Sequence, residues 1–344
     1  MNNKNSILRS HIIHVLPHLV PCGCFSFIFT LVKYLRNYSH TLVFETPQLD
    51  HVDLELIWHL QALGCAILHT ENITCEQLDS IGGTGAIFYN TTGHPKLGTA
   101  LPSIYYAYGI YDPQIGTNIV VPCSRYACIH RRTLQGDQRV LNSERIIPPT
   151  IQTRAFRRLR APKHPFTIGL FTSGSDNKYP CTEVIELLGK LPDGIRIMLT
   201  TLDKYQHPGM LLAIDDRKAI APGTLIECPV KMYAPVRYMV QADVILYATA
   251  EEFDEPYGRL VMEALALGKP VICQNKGVFK ETLENGVTAL LYNNIDEALG
   301  YIDRLRNDKK MAESLGANGQ MMASQSDISV YAGKIKSIFR ELGI

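Results

Sequence analysis

A chain of 344 residues is longer than a single hydrophobic core usually serves, so two domains are expected. Its 46% apolar and 19% charged residues exclude a disordered polar chain, and no run reaches the roughly 18 apolar residues that a bilayer-spanning helix needs. A net charge of +1 offers no basic domain, so no nucleic-acid partner is expected.

Lys4 and Arg9 precede an apolar stretch in the manner of a signal peptide, but Pro17 and Pro21 interrupt it and no small-residue cleavage site follows. The cysteines, at 22, 24, 65, 75, 123, 128, 181, 228 and 273, lack paired C-x2-C spacing, which argues against zinc and for reduced thiols in a cytoplasmic protein. Cys22 with Cys24, and Cys123 with Cys128, are the alternative redox pairs.

Residues 12–16 read as a buried strand, 17–24 as a loop with Gly23 between two cysteines, and 25–36 as a helix with apolar residues at helical spacing. Further strands are expected at 41–45, 65–69, 86–90, 103–107 and 119–123, separated by helices such as 52–63. Such alternation predicts an α/β fold with a parallel sheet covered on both faces. The adjacent prolines Pro148 and Pro149, after an apolar pair, suggest a last strand leaving this core within 139–151. The basic run from Arg154 to His164 reads as a solvated linker; its sharper reading is attraction of an anionic acceptor or a membrane surface.

A second alternation starts with a strand at 166–171, the loop 172–180 carrying Ser173 and Lys178, and a helix at 182–188. Strands at 195–200, 224–228, 244–247, 271–273 and 289–292 follow, with a helix near Glu281. The closing helix, 329–342, gathers Tyr331, Ile335, Ile338, Phe339 and Leu342 on one face. That face needs a cover, either the first lobe or, alternatively, a membrane.

Chemistry concentrates in Glu255-Pro-Tyr-Gly-Arg-Leu-Val-Met-Glu263, which continues through Gly268-Lys-Pro-Val-Ile. Gly258 opens and Gly268 closes an apolar helix, leaving Glu255 in the loop before it and Glu263 one to two turns inside. An unpaired carboxylate on such a helix is costly, and a ribose diol would satisfy it. The helix start offers backbone N–H groups to a phosphate.

This pattern resembles the E-x7-E signature of retaining glycosyltransferases with the GT-B fold, above all glycosyltransferase family 4; the match runs on to Gly277, Glu281 and Asn285-Gly286. The resemblance implies two Rossmann-like lobes facing across a cleft, with lobe boundaries at 1–152 and 166–326, a linker at 153–165, and residues 327–344 returning to the first lobe. It implies transfer of a hexose from a UDP- or GDP-linked donor to a saccharide, lipid-linked or other small acceptor, with peripheral membrane contact an option for such an enzyme. No cofactor is implied, and the absence of a D-x-D motif implies no metal.

By the same resemblance Glu263 holds the ribose, with Gly258, Tyr257, Arg259 and Leu260 around the nucleotide and Gly23 and Ser173 in the loops that open the two lobes. Glu255 faces the donor sugar and Lys178 the diphosphate. Three departures stand out. No Arg or Lys lies between Lys163 and Lys178, where the family carries an arginine; a single glycine, Gly23, replaces a glycine pair; and Tyr108 occupies the place of a donor-side histidine, for which His94 is the other candidate. The rival readings are a GT-B domain that binds a sugar nucleotide or a partner without turnover and a GT-B sugar-nucleotide epimerase.

Overall fold

The structure is a computed structural model that describes residues 10–16, 23–45, 54–89, 99–107, 119–129, 145–156, 164–172, 178–201, 208–229 and 234–344. Its contacts divide the chain into two compact units, Met1–Thr150 with Ile328–Ile344, and Ile151–Asp327.

The first unit runs β1 (His11–Leu16), α1 (Gly23–Tyr34), β2 (Ser39–Glu45), α2 (Leu54–Ala62), β3 (Ala66–Thr70), α3 (Cys75–Ser80), β4 (Gly85–Tyr89), β5 (Ser103–Ala107) and β6 (Ile119–Pro122). All neighbours pair in parallel, in the order β3-β2-β1-β4-β5-β6. Central strands of a doubly covered sheet are buried on both faces, which is why Ile12 to Leu16 and Ala86 to Tyr89 read as unbroken buried runs. Helix α1 begins at Gly23, two residues earlier than the apolar spacing suggests.

The strand expected within 139–151 is absent from its described part. Residues 147–150 are buried but join no ladder, because Pro148 and Pro149 have no N–H to donate; Ile147 N donates to Pro122 O at 3.1 Å instead.

Polar groups inside this unit form a chain whose proton positions follow from its end. Leu35 O only accepts, so His40 Nε2 carries a proton toward it at 3.0 Å. With both rings neutral, His40 Nδ1 then accepts from His14 Nε2 at 3.0 Å, and His14 Nδ1 accepts from the Tyr89 hydroxyl at 2.9 Å. Burial holds His14 well below its ordinary pKa, with the charges of His40 and His11 adding to the effect.

The second unit runs α4 (Thr153–Phe156), β7 (Thr167–Leu170), α5 (Cys181–Lys190), β8 (Arg196–Thr201), α6 (Pro208–Ile220), β9 (Leu225–Pro229), α7 (Ala234–Gln241) and β10 (Val244–Tyr247). It continues with α8 (Arg259–Ala266), β11 (Val271–Gln274), α9 (Gly277–Thr282), β12 (Leu290–Tyr292), α10 (Ile295–Asn307) and α11 (Lys309–Ser324). Its sheet is also parallel, ordered β12-β11-β10-β7-β8-β9, which repeats the first winding from the other edge. Both sheets therefore have the doubly wound strand order 3-2-1-4-5-6.

Helix α8 is clamped from outside by α11. A Cβ on Gly316 would lie 2.3 Å from Gly268 O, so the two backbones touch only because Gly316 has no side chain. Gln320 Nε2 donates to Ala266 O at 3.0 Å and covers the helix C-terminus. The chain enters and leaves this unit at paired points: Ile151 bridges Asp327, whose carboxylate accepts from Thr153 N at 2.8 Å and Thr153 Oγ1 at 2.7 Å.

The closing helix, α12 (Ile328–Glu341), belongs to the first unit. Ile335, Ile338 and Phe339 are buried there, Phe339 meets Tyr38 edge-on at 5.5 Å, and Lys334 Nζ donates to Ile146 O at 3.2 Å. Protein, not lipid, covers its apolar face. Among the described residues no helix is long and apolar enough to cross a membrane.

Candidate active site

In an open parallel sheet, ligands bind beyond the carboxyl ends of the strands where the order reverses. In the second unit that point lies between β7 and β10, and the loops leaving these two strands carry Lys178 and Glu255. The loops are stitched at their roots: Thr172 Oγ1 donates to Ala248 O at 2.6 Å, and Ala250 N donates to Lys178 O at 2.9 Å.

Glu255 is 3% exposed. A carboxylate this buried needs partners, and it has two on one oxygen. Lys178 Nζ lies 2.7 Å from Oε2, and the Tyr247 hydroxyl donates to Oε2 at 2.6 Å. Among the described residues nothing donates to Oε1. The Lys178 ammonium also sits 5.1 Å from the centre of the Phe253 ring.

Gly258 follows in a left-handed conformation, φ 72°, and heads α8 without a side-chain cap. A Cβ there would lie 2.3 Å from the Phe279 ring, so conformation and space both require glycine. The first-turn N–H groups of α8, Leu260 among them, have no acceptor within the helix and add its positive dipole end. One turn on, Glu263 Oε1 accepts from Arg259 Nε at 2.8 Å, both side chains mostly buried, and its second oxygen accepts from no described residue. Tyr257 is buried beside them.

The loop between β10 and α8 is held from below. Lys276 Nζ donates to Ala250 O at 2.6 Å and Glu251 O at 3.2 Å, and burial pulls its pKa down. Gln274 Oε1 accepts from Thr249 N at 2.8 Å while its Nε2 donates to Glu183 at 3.2 Å. Val278 N donates to Glu255 O at 3.2 Å, which fixes the backbone of the first glutamate. Glu251 and Glu252 lie exposed at the loop's edge.

Thus Glu255, Lys178, Gly258, Tyr257, Arg259, Leu260 and Glu263 come from two adjoining loops and one helix, while Gly23 heads α1 in the other unit. Tyr108, His94 and Ser173 lie outside the described residues. Sequence reasoning missed Tyr247, Gln274, Lys276 and Phe279. Tyr247 ends an apolar strand and reads there as β-propensity, so nothing local announces that its hydroxyl reaches Glu255.

The eight described cysteines are free thiols, and burial raises Cys65 and Cys228 to about 12. No group of three His, Cys, Asp or Glu side chains that could hold a metal occurs among the described residues.

Solved structures share this architecture along nearly the whole chain. HepE from Anabaena, in complex with UDP and glucose, superposes with a TM-score of 0.76 at 14% identity, covering 96% of this chain and 100% of that one. The chain has the GT-B glycosyltransferase fold. A glycosyltransferase from Rickettsia africae superposes at 0.72 with 16% identity, covering 97% and 98% of the two chains. Sucrose-phosphate synthase from Thermosynechococcus elongatus superposes at 0.70 with 14% identity, covering 97% and 99%. Within this GT-B chain, residues 229–322 match the family described as Glycosyl transferases group 1, a segment that contains the whole Glu255 to Glu263 stretch. No curated protein sequence matches the chain.

Proposed function

We propose that this protein transfers a hexose from a nucleoside diphosphate donor, UDP- or GDP-linked, to a saccharide, lipid-linked or other small acceptor, with retention of anomeric configuration and without a catalytic metal. The observation that carries this reading is the pair of carboxylates at the switch point, each engaged by a cation on one oxygen and, among the described residues, without a donor on the other. The open oxygen of Glu263 suits a ribose hydroxyl and that of Glu255 a hydroxyl of the donor sugar. The N-terminus of α8 and the Lys178 ammonium suit the diphosphate. HepE, crystallised with UDP-glucose, favours UDP as the first donor to try.

In the reaction the bond from the anomeric carbon to the diphosphate oxygen breaks and its electron pair leaves with the nucleotide. The acceptor oxygen bonds the anomeric carbon on the face the nucleotide leaves, and the acceptor proton passes to the departing phosphate. Lys178 and the helix N-terminus stabilise the leaving charge, while Glu255 faces the positive charge developing on the sugar. The remaining contribution is placement. One observation favours a rival: Lys178 is already committed to Glu255, as it would be in a GT-B domain that binds a sugar nucleotide without turnover.

The test is a melting-temperature panel of UDP- and GDP-sugars followed by release of the nucleotide. A ligand present at about a hundred times its Kd stabilises the folded protein by about 2.7 kcal/mol, and Glu263→Gln should reduce the shift. A wild-type melt that no member of the panel moves refutes the donor site; a shift without nucleotide release, with any acceptor, selects the binding domain.

A further inference from the structure

Two donors share Oε2 of Glu255, and they differ in kind. The Tyr247 hydroxyl comes from the last residue of β10, whose backbone is locked in register opposite Cys273 and whose ring is 2% exposed and packed edge-on against Phe279 at 5.4 Å. Lys178 comes from a loop, on a long side chain that remains 20% exposed. The phenol is held by the sheet; the ammonium can swing. A donor diphosphate competes for the ammonium, since a multiply charged phosphate group outbids one carboxylate for the same cation. When Lys178 turns away, Glu255 keeps, among the described residues, the phenol alone.

We propose that Tyr247 is a positioning residue for glycosyl transfer: it holds Glu255 through Oε2 after Lys178 has gone to the diphosphate, so that Oε1 stays aimed at the donor sugar. The proposal rests on the glycosyl-transfer reading and extends it to a residue that touches neither substrate. It explains why the strand ends in a tyrosine. A leucine or phenylalanine would fill the same apolar position against Phe279, but would leave a buried carboxylate with no fixed donor in the donor-bound state.

The test uses the full chain, the UDP-sugar that the wild type turns over fastest, and UDP itself as the binding probe. Tyr247→Phe preserves the ring packing, so UDP affinity and donor KM should stay within about twofold of wild type, while kcat falls about ten- to a hundredfold, the worth of one hydrogen bond to a charged group. In a Glu255→Gln background, the same substitution should cost less than about twofold, because the phenol acts through that carboxylate. A Tyr247→Phe enzyme with wild-type kcat overturns the proposal. So does one that loses UDP affinity or its fold, which would make the hydroxyl a structural group, or one whose loss is undiminished in the Glu255→Gln background. A wild type that binds neither UDP nor GDP, or that turns over no UDP- or GDP-sugar, refutes the transfer reading itself and this proposal with it.

Discussion

Substituting Gly258 by alanine tests the head of α8 more sharply than any charge change, because two independent penalties meet there. The backbone sits at φ 72°, ψ 52°, a region that costs an L-residue about 1–2 kcal/mol. The added Cβ would lie 2.3 Å from Phe279 Cε1 and 2.5 Å from Cζ. That ring is 3% exposed and braced against Tyr247, so it cannot swing aside without moving the residue behind Glu255. Overpacking of this kind costs a further ~1–3 kcal/mol. The sum, about 2–5 kcal/mol, corresponds to a melting temperature lower by roughly 4–20 °C for a domain of this size. Removing the obstacle separates the terms: in a Phe279→Ala background, Gly258→Ala should add only the backbone cost of about 1–2 kcal/mol. Urea and thermal melts of the four proteins decide it. A Gly258→Ala protein that melts within a degree of wild type, or equal losses in both backgrounds, would refute the reasoning.

The first unit should lose stability as pH falls below about 6.5, the ordinary histidine value. Burial lowers His14 and His40 in the folded state, so between 6.5 and their folded values the unfolded chain binds protons that the folded chain refuses. Unfolding free energies from urea melts between pH 7.5 and 5 should fall by up to about 1.4 kcal/mol per pH unit for each proton taken up; a flat profile would contradict the buried neutral chain. Of the two glutamates, Glu263→Gln should raise donor KM more than it lowers kcat, since the proposed ribose contacts would exist in ground and transition states alike. Glu255→Gln should lower kcat by about a hundredfold with near-normal UDP affinity; steady-state kinetics with separate UDP titrations would expose a reversal of these roles.

How much of this was legible in the sequence depended on whether a feature is local. The central strands of both sheets were visible because parallel strands buried on both faces appear as unbroken apolar runs, and Gly258 and Gly268 bracketed α8 because helix ends have their own residue chemistry. The false strand near Pro148 arose from reading an apolar pair as a ladder partner where two prolines forbid one. Helix α6 gave little signal, since Leu211 and Leu212 lie exposed and blur its apolar stripe. In the site, E-x7-E was local and legible. Its supports were not: Lys276 and Gln274 act on a loop some 25 positions earlier in the chain, and no spacing rule links them to it.

The pairing of the site's charges bears on what kind of molecule it can admit. Lys178 and Arg259 are both matched by glutamates, so an incoming diphosphate finds no idle cation in this pair of ion pairs and must take one from a carboxylate. Withdrawing a cation from a buried carboxylate is costly unless something replaces it. Pyrophosphate alone supplies nothing in return. On the proposed reading a nucleoside diphosphate would supply ribose hydroxyls to Glu263 but leave Glu255 to Tyr247, whereas a nucleotide sugar would bring hydroxyls for both. On this reading the ion pairs select for a ligand that carries diphosphate and two sets of hydroxyls on one frame. The arginine that the resemblance leads one to expect before Lys178 would then be dispensable: on the proposed reading the site would rely on exchange of partners between charges already in place, with the neutral N–H groups of α8 providing attraction that needs no exchange.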